Sequence, residues 1–322
     1  MRTLVTGGAG FIGSHVVDAL VLRGDEVVVY DNFSTGYRQH LAQALASGRV
    51  AVWEGNILDL SRLTKAMEGV RRVFHLAANA DVRGGAFHTS VDLEQNTIGT
   101  HRVLEAMRVT GASELVFTSS ATVYGEPSVF PTPESYAGMQ TSLYGASKLA
   151  AEALIQAYGE YFGIQSWSFR FVSWVGERYS HGVVFDFVQK LLADPRELEI
   201  LGDGNQRKSY LHVEDGIRGM FLALERLRER KNVINLGHVA YLTVTEVADI
   251  VCEEMGLRNV RYRFTGGERG WPGDSPFVLL DVSKIRSVGF APQVSVQDGI
   301  RRTARYLLAN PWLLAARACR TK

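Results

Sequence analysis

Cysteine is nearly absent from this sequence, which has only Cys252 and Cys319 among its 322 residues. Two cysteines cannot build a disulfide framework, and no Cys/His cluster has metal-ligand spacing, so we expect no metal site and a cytoplasmic location. Charge of one sign is also scarce, because 35 basic residues against 34 acidic ones leave a net charge of +1. No apolar run approaches the length of a membrane span. Neither nucleic acid nor a membrane is therefore an expected partner.

Glycine, in contrast, is concentrated directly after the first apolar run of the chain. Residues 3–5 read as a short strand, and an amphipathic helix pattern begins at Phe11. Strand, glycine turn and helix N-terminus form the arrangement that binds the diphosphate of a dinucleotide, although an ordinary βα turn can look similar. Gly7 is expected to tighten the turn, Gly10 to let backbone N–H groups reach the phosphates, and Gly13 to let the helix pack on the strand. The predicted cofactor contacts of this turn are Gly7, Gly10, Phe11, Ile12 and Gly13.

An acidic residue ends the second predicted strand, residues 26–30. Asp31 follows the glycine turn at about the separation expected for a carboxylate that bonds the adenosine ribose hydroxyls. A carboxylate at this position repels a 2′-phosphate, so the predicted cofactor is NAD and not NADP. The residues after it, Asn32, Ser34 and Gly36, are included in the predicted cofactor site.

Alternating strand and helix patterns continue to Phe171. This rhythm predicts an α/β fold, a Rossmann-type doubly wound parallel sheet, with a smaller, mixed α/β C-terminal substrate lobe. The predicted cofactor domain covers residues 1–171, with 205–237 returning to it. Residues 172–204 and 238–312 form the predicted substrate lobe, and residues 313–322 a tail in which 315–322 carry no pattern.

Further cofactor contacts are expected where the parallel strands end. Asn56 could hold the adenine amino group or could simply be a turn residue. Small residues after the fourth strand leave room for a ligand, and an asparagine within the helix predicted for residues 93–109 could face the cofactor. The predicted contacts in these places are Asn56, Ile57, Leu76, Ala77, Ala78, Asn96 and Phe171.

A tyrosine and a lysine one helical turn apart form the candidate catalytic pair. Tyr144 and Lys148 open a helical segment, and Ser120 ends the fifth strand. A tyrosine that acts as a base near neutral pH needs its pKa lowered by about three units, roughly 4 kcal/mol. A neighbouring ammonium and a positive nicotinamide ring can supply that shift. We therefore predict that Lys148 lowers the pKa of Tyr144 and that Ser120 shares the proton path.

These motifs occur together in the order of a known family. The segments are GGAGFIG with Asp31, HLAA (75–78), TSSATVYG (118–125), YGASK (144–148) and GDGNQRKSYLHVED (202–215). Over about residues 1–310 the chain resembles the extended short-chain dehydrogenases that modify nucleotide sugars. Within them it is most similar to the UDP-glucose (UDP-galactose) 4-epimerase group.

The resemblance implies a reaction through a transient 4-keto sugar. Tyr144 takes the proton of the sugar 4-hydroxyl while the C4 hydride passes to NAD, and the rotated sugar takes the hydride back on its other face. Ser120 holds the 4-oxygen, Lys148 bonds the nicotinamide ribose, and Phe171 walls the nicotinamide. The family's 4,6-dehydratases carry an Asp-Glu pair directly after this serine, where the present chain has Ala121 and Thr122. Elimination and decarboxylation are therefore less favoured than epimerisation.

The substrate contacts depart from the family pattern. Lys208 stands where the family has a phosphate-binding arginine, Ser173 where it has an asparagine, and Leu143 where a proline often precedes the tyrosine. Lys208 and Arg269 are the candidate cations for the sugar diphosphate, or else surface charges. The predicted substrate contacts are Val82, Arg83, Ser120, Thr122, Ser173, Gly182, Val183, Lys208, Arg269 and Asp274.

The substrate class stays open at this stage. A UDP-hexose is the first choice, and UDP-N-acetylhexosamine, UDP-uronate or an ADP-heptose are alternatives, since Arg83 could meet an acidic sugar. Another reaction on the same 4-keto sugar, or an NAD-binding interaction protein without catalysis, are the alternative functions. The resemblance also implies a homodimer formed through the helices near residues 93–109 and 144–161.

Overall fold

The computed structural model describes the backbone of residues 1–320 and the side chains of residues 1–317. In chain order the strands are β1 (Arg2–Thr6), β2 (Glu26–Asp31), β3 (Val50–Glu54), β4 (Arg72–His75), β5 (Glu114–Ser120), β6 (Gln165–Phe171), β7 (Ser173–Val175), β8 (Glu197–Ile200), β9 (Arg207–Lys208), β10 (Tyr210–His212), β11 (Lys231–Leu236), β12 (Leu242–Thr243), β13 (Arg261–Phe264) and β14 (Phe277–Val278).

Helices alternate with the strands of the first half of the chain. They are α1 (Phe11–Leu22), α2 (Ala42–Ala46), α3 (Leu60–Ala66), α4 (Thr89–Asp92), α5 (Gly99–Thr110), α6 (Leu143–Phe162), α7 (Val183–Ala193), α8 (Val213–Arg226), α9 (Val244–Glu254), α10 (Ser283–Ser287), α11 (Val296–Ala309) and α12 (Pro311–Arg320). A π-helical turn, Leu93–Ile98, joins α4 to α5. In the described part of the chain, no helix combines the length and apolarity that a membrane crossing requires.

A seven-stranded parallel sheet in the order β11-β6-β5-β4-β1-β2-β3 forms the centre of the fold. The side chains of successive β1 residues lie on opposite faces of the sheet. Leu4 packs in the core between the sheet and α3, α5 and α6, and Val5 packs in the larger core on the other face, with α1 and α8. Both faces of the sheet are therefore covered by helices, and the predicted doubly wound fold is confirmed.

The second half of the chain adds a smaller, mixed α/β lobe. It contains the short sheets β7-β10, β12-β9-β14 and β8-β13. The spacing of Thr243 and Glu246 predicts a capping box at the start of α9, and the structure has it: the Thr243 hydroxyl accepts the Glu246 N–H at 3.1 Å and the Glu246 carboxylate accepts the Thr243 N–H at 2.7 Å. β11 then returns to the edge of the large sheet beside β6.

Three predictions about this lobe are wrong. The sequence of residues 208–213 predicts a single strand, but the structure has two strands in different sheets, because Ser209 interrupts the pairing and bonds Val278 and His238. The sequence also predicts a helix over residues 179–192, but the helix begins only at Val183, since Gly182 adopts a φ of +101° that a helix does not allow. The patternless end of the chain is the helix α12 as far as Arg320, while residues 321–322 lie outside the described chain.

Candidate active site

The glycine turn between β1 and α1 has the close packing that a dinucleotide cradle requires. Gly7 has a φ of +68°, and a Cβ there would lie 2.7 Å from the backbone nitrogen of Ala77. A Cβ on Gly13 would lie 2.8 Å from the Gly8 Cα and closer still to the Gly7 carbonyl oxygen. At Gly10 a Cβ would meet only the Gly7 oxygen, at 3.2 Å. The roles predicted for Gly7 and Gly13 in the turn and in helix packing thus have a direct steric basis.

The start of α1 is available to an anion. Its cap residue, Gly10, has no side chain that could bond the first N–H groups, and the first turn, which includes Phe11 and Ile12, carries no acidic residue. Unsatisfied N–H groups and the helix dipole at this end favour a diphosphate. The residues present therefore fit the diphosphate of a dinucleotide.

Asp31 lies directly beside this turn. Its Oδ2 accepts the Ala9 N–H at 2.9 Å, and its Oδ1 accepts the Phe33 N–H at 2.8 Å. Gly36 packs on the same alanine, because a Cβ there would lie 2.9 Å from the Ala9 backbone. The Asn32 side chain accepts the Ser34 N–H and hydroxyl within their own turn. A carboxylate thus lies where the adenosine ribose is expected, and the other three residues surround it.

The remaining predicted cofactor contacts line neighbouring strand ends. Asn56 uses its side-chain oxygen to accept the Leu58 N–H at 3.0 Å, which is the turn role, and its adenine contact stays a prediction. Ile57 packs against the backbone of Gly99. Residues 76–78 follow β4 next to the glycine turn, where the Ala77 N–H donates to Thr6 at 3.2 Å. Phe171 ends β6 and packs on Trp174, with ring centroids 4.1 Å apart.

The three candidate catalytic residues converge at one cleft. Ser120 acts on the Tyr144 phenol by lowering its pKa, and the Ser120 hydroxyl accepts the Thr122 hydroxyl at 2.9 Å. Lys148 Nζ lies 5.8 Å from the centroid of the Tyr144 ring. It donates to the Thr118 carbonyl at 2.9 Å, and this anchors the ammonium beneath the phenol. Their positions follow from the end of β5 and from α6, whose first turn is capped by Ser142.

The pKa of Tyr144 moves in the direction opposite to the prediction. Burial and the nearby Asp92 carboxylate raise it to about 12, against a smaller lowering by the Ser120 hydrogen bond. Burial also lowers the pKa of Lys148 to about 8. The prediction was wrong because helical spacing shows only that the Lys148 ammonium lies one turn from Tyr144. It does not show that both side chains are desolvated, or that the Asp92 carboxylate lies near them.

Asp92 is a functional candidate that the sequence analysis missed. Its Oδ1 accepts Nδ2 of Asn79 at 2.9 Å and Nδ2 of Asn96 at 3.2 Å, and burial raises its pKa. Asn96 is 1% exposed and also donates to the Ser147 hydroxyl at 3.0 Å. The π-helical turn that carries Asn96 therefore ties the carboxylate to the helix of Tyr144. No spacing motif marked Asp92, since these partners come from three separate segments.

A buried ion pair between Arg170 and Glu152 holds helix α6, which carries Tyr144 and Lys148, against the central sheet. Arg170 bonds Glu152 with its terminal nitrogen at 2.7 Å and with Nε at 3.1 Å. Glu152 also accepts the Ser119 hydroxyl. Glu152 lies one turn beyond Lys148 on α6, so helical periodicity could have indicated it. The pair fixes α6 against the ends of β5 and β6, where Ser120 and Phe171 lie.

Two predicted substrate cations are already paired with carboxylates. Lys208 Nζ donates to Asp274 Oδ1 at 2.7 Å and to the Ser275 carbonyl. Arg269 pairs with Glu126 in the same way. A sugar diphosphate at either cation would compete with these carboxylates, so their roles as diphosphate contacts stay predictions.

The other predicted substrate contacts lie on loops around the cleft. The Arg83 guanidinium lies over the Trp271 ring, 5.7 Å from its centroid, and its contact with an acidic sugar stays a prediction. Val82 is half-buried beside it, Ser173 is exposed in β7, and Gly182 and Val183 form the start of α7. Thr122 is the one that directly contacts a catalytic candidate, Ser120.

Comparison with known proteins identifies the family to which a chain with this fold and these motifs belongs. The family described as the NAD dependent epimerase/dehydratase family matches residues 3–237. The UDP-glucose 4-epimerase of Mycolicibacterium smegmatis is 31% identical over 314 residues, which are 95% of this chain and 98% of that protein.

Two crystal structures of nucleotide-sugar enzymes with bound NAD have a fold similar to that of this chain. The Thermus thermophilus UDP-glucose 4-epimerase complex with NAD has a TM-score of 0.85 at 32% identity, covering 96% of this chain and 99% of that one. The dTDP-glucose 4,6-dehydratase of Streptomyces venezuelae with NAD and TYD bound has a TM-score of 0.90 at 31% identity, covering 97% and 98%. The predicted cofactor, NAD, is confirmed. The chain therefore belongs to the NAD dependent epimerase/dehydratase family of nucleotide-sugar enzymes.

Proposed function

We propose that the chain is an NAD-dependent nucleotide-sugar 4-epimerase whose substrate is a UDP-hexose. The observation that carries the proposal is the Ser120–Tyr144–Lys148 arrangement with Ala121 and Thr122 beside it. The Thr122 hydroxyl donates to Ser120 at 2.9 Å, so this position supplies a hydrogen bond and no carboxyl group. The acid–base pair that elimination of water requires is thereby missing from the sequence at this strand end.

The residues of the chain divide the work of the reaction. Tyr144 takes the proton of the sugar 4-hydroxyl and returns it to the 4-oxygen of the product. Ser120 donates a hydrogen bond to that phenolic oxygen when it is negative and holds the 4-oxygen beside it. Lys148, anchored on the Thr118 carbonyl, presents its ammonium to the phenolate. NAD, when bound, accepts the C4 hydride and returns it, and its positive ring lowers the pKa of the phenol.

A product-resolved assay against a panel of nucleotide sugars tests the proposal. We expect UDP-glucose and UDP-galactose to interconvert without net consumption of NAD. UDP-N-acetylhexosamine, UDP-uronate and ADP-heptose complete the panel because the loop contacts leave the sugar open. A 4,6-dehydrated or decarboxylated product, or no reaction with any of these sugars, would contradict the proposed reaction. The cytoplasmic location stays a prediction.

Removal of the Asp92 charge should shift the pH dependence of catalysis. Asp92→Asn keeps an oxygen for the Asn79 and Asn96 amides but removes the negative charge that raises the pKa of Tyr144. The same change lowers the pKa of Lys148, but the acid limb reports the deprotonation of the phenol, on which the Asp92 charge acts directly. We expect the acid limb of the kcat/KM profile to move to lower pH.

The matched control for this variant is Glu94→Gln, which removes an exposed carboxylate from the adjoining helical turn. Its profile should coincide with that of the wild type. An acid limb that stays in place in Asp92→Asn, or that moves to higher pH, would remove Asp92 from the electrostatics of the site.

We also propose a homodimer formed by α5, α6 and the turn preceding α5. Large apolar side chains on these helices are exposed, among them Ile98 at 38%, Val109 at 61% and Leu149 at 36%. Sedimentation velocity at micromolar concentration should show a dimer, and Val109→Glu combined with Leu149→Glu should shift it to monomer. Leu22→Glu, at an apolar position of α1 that is 84% exposed, is the control. A wild-type monomer would refute the dimer.

A further inference from the structure

The Asp31 carboxylate has a second carboxylate beside it, at the end of the neighbouring strand. Asp31 ends β2, and its register partner on the parallel strand β3 is Glu54, the last residue of that strand. Neighbouring strands lie about 4.8 Å apart, so the two residues are adjacent at the edge of the sheet where the adenosine ribose is expected. Asp31 is buried and Glu54 is exposed. Glu54 therefore forms the outer rim of the place expected for the ribose.

An arginine on the segment after β2 bonds this outer carboxylate. The Arg38 guanidinium donates to Glu54 Oε2 at 2.6 Å. It also lies over the Phe33 ring, with 4.3 Å between its central carbon and the ring centroid. The Phe33 backbone N–H in turn donates to Asp31 Oδ1 at 2.8 Å. Arg38 is thus held between Glu54 and a residue that directly contacts the Asp31 carboxylate.

The pair lines a cavity of about 520 Å³ beside the glycine turn. Gly36, another lining residue, packs on Ala9, since a Cβ there would lie 2.9 Å from the Ala9 backbone, and the Ala9 N–H donates to Asp31. The cavity therefore borders the place expected for the ribose. Among the lining residues of the described chain, Arg38 carries the positive charge and Glu54 the negative one. A phosphate attached to the ribose would have both charges close to it.

We propose that Glu54 is a second determinant of cofactor choice beside Asp31, and that it excludes NADP by holding the Arg38 guanidinium away from the ribose 2′-phosphate. A phosphate monoester carries roughly two negative charges at neutral pH, and an arginine near the ribose is the side chain that matches it with two parallel hydrogen bonds. In this chain the arginine is present, but a carboxylate neutralises it. The proposal concerns the choice of cofactor and needs no turnover, so it is tested independently of the proposed epimerisation.

Equilibrium dialysis of the full-length chain against labelled NADP, and separately against labelled NAD, tests this exclusion. Glu54→Gln should lower the NADP dissociation constant about fivefold, the upper end of what an exposed ion pair contributes. The NAD dissociation constant should keep its wild-type value, because NAD has no phosphate at that position. NADP binding to Glu54→Gln should also depend more steeply on salt, since the released guanidinium contacts the phosphate. Glu26→Gln, which removes an exposed carboxylate at the opposite end of β2, is the matched control and should change neither constant.

A double variant separates the released arginine from the lost repulsion. Glu54→Gln combined with Arg38→Gln should abolish the gain in NADP affinity. Both side chains are exposed, so the thermal unfolding temperature of each variant should stay close to that of the wild type. An unchanged NADP dissociation constant in Glu54→Gln would overturn the proposal. A gain that survives the loss of Arg38 would overturn it as well, because Glu54 would then act by repulsion alone.

Discussion

Replacing Tyr144 by phenylalanine is expected to lower kcat about a thousandfold, within the range of a lost general acid–base group. The variant removes only the phenolic oxygen, so α6, the anchored Lys148 and the Ser120 turn should keep their places. NAD binding should therefore be unchanged, and the loss should appear in kcat while KM for the nucleotide sugar changes little. Steady-state kinetics together with an NAD titration separate these two effects.

The control for this variant lies on the same helix. Tyr161 is 82% exposed near the end of α6, and Tyr161→Phe removes the same oxygen away from the cleft. It should retain wild-type turnover. If Tyr144→Phe also turned over at the wild-type rate, the phenol could not be the group that moves the proton, and the proposed reaction would lose its base.

A single methyl group at Gly13 is expected to abolish useful NAD binding. The new Cβ would meet the Gly7 carbonyl oxygen and lie 2.8 Å from the Gly8 Cα, and these backbone atoms cannot turn away as a flexible side chain can. Either α1 or the glycine turn must shift, and the loss of one hydrogen bond to a charged group costs about 1.5–3 kcal/mol, roughly ten- to hundredfold in affinity. We expect Gly13→Ala to raise the NAD dissociation constant by about that factor.

The same variant should also unfold more readily, because overpacking of this kind costs about 1–3 kcal/mol. Gly10→Ala is the control within the turn for unfolding alone, since its Cβ would approach only the Gly7 oxygen, at 3.2 Å, but would face the expected phosphates. Gly299→Ala in α11 is the control outside it, where the nearest atom is a Val175 methyl at 3.1 Å. NAD titration and thermal unfolding of the three variants give the comparison. Wild-type affinity in Gly13→Ala would show that the turn does not depend on this close approach.

The fold and the core of the site were predictable because their signals are local. The strand, turn and helix of residues 2–22 follow from one apolar run, one group of glycines and one amphipathic pattern. The proximity of Tyr144 and Lys148 needs only helical spacing, and that of Ser120 only the rule that parallel strands end at one edge. Each of these inferences holds without knowledge of long-range contacts.

What the sequence could not provide depends on contacts between distant segments. The Lys208–Asp274 pair joins residues 66 positions apart, and nothing near Lys208 indicates that its charge is already neutralised. Helix α12 was expected to be a tail because the burial of Leu313 and Leu314 depends on the folded core and not on a local pattern. The strand expected through Ser209 breaks because its two halves pair with different sheets.

The electrostatics of the catalytic pair show the same limit. Spacing placed an ammonium beside a phenol, and a lowered tyrosine pKa seemed to follow. Burial acts on both groups in the unfavourable direction, and Asp92 adds a negative charge from α4. The chain by itself therefore favours the protonated form of Tyr144, and the proposed reaction requires the positively charged cofactor to make this residue a base.

The most direct test of this account follows the hydrogen at C4 of the sugar. A UDP-hexose labelled with deuterium at C4 is incubated with the enzyme in ordinary water, and both 4-epimers are analysed by mass spectrometry and NMR. If oxidation and return occur at the same carbon within one site, the product epimer will keep its deuterium at C4. Loss of the label to solvent, or recovery of the starting sugar with its C4 configuration unchanged, would contradict the account.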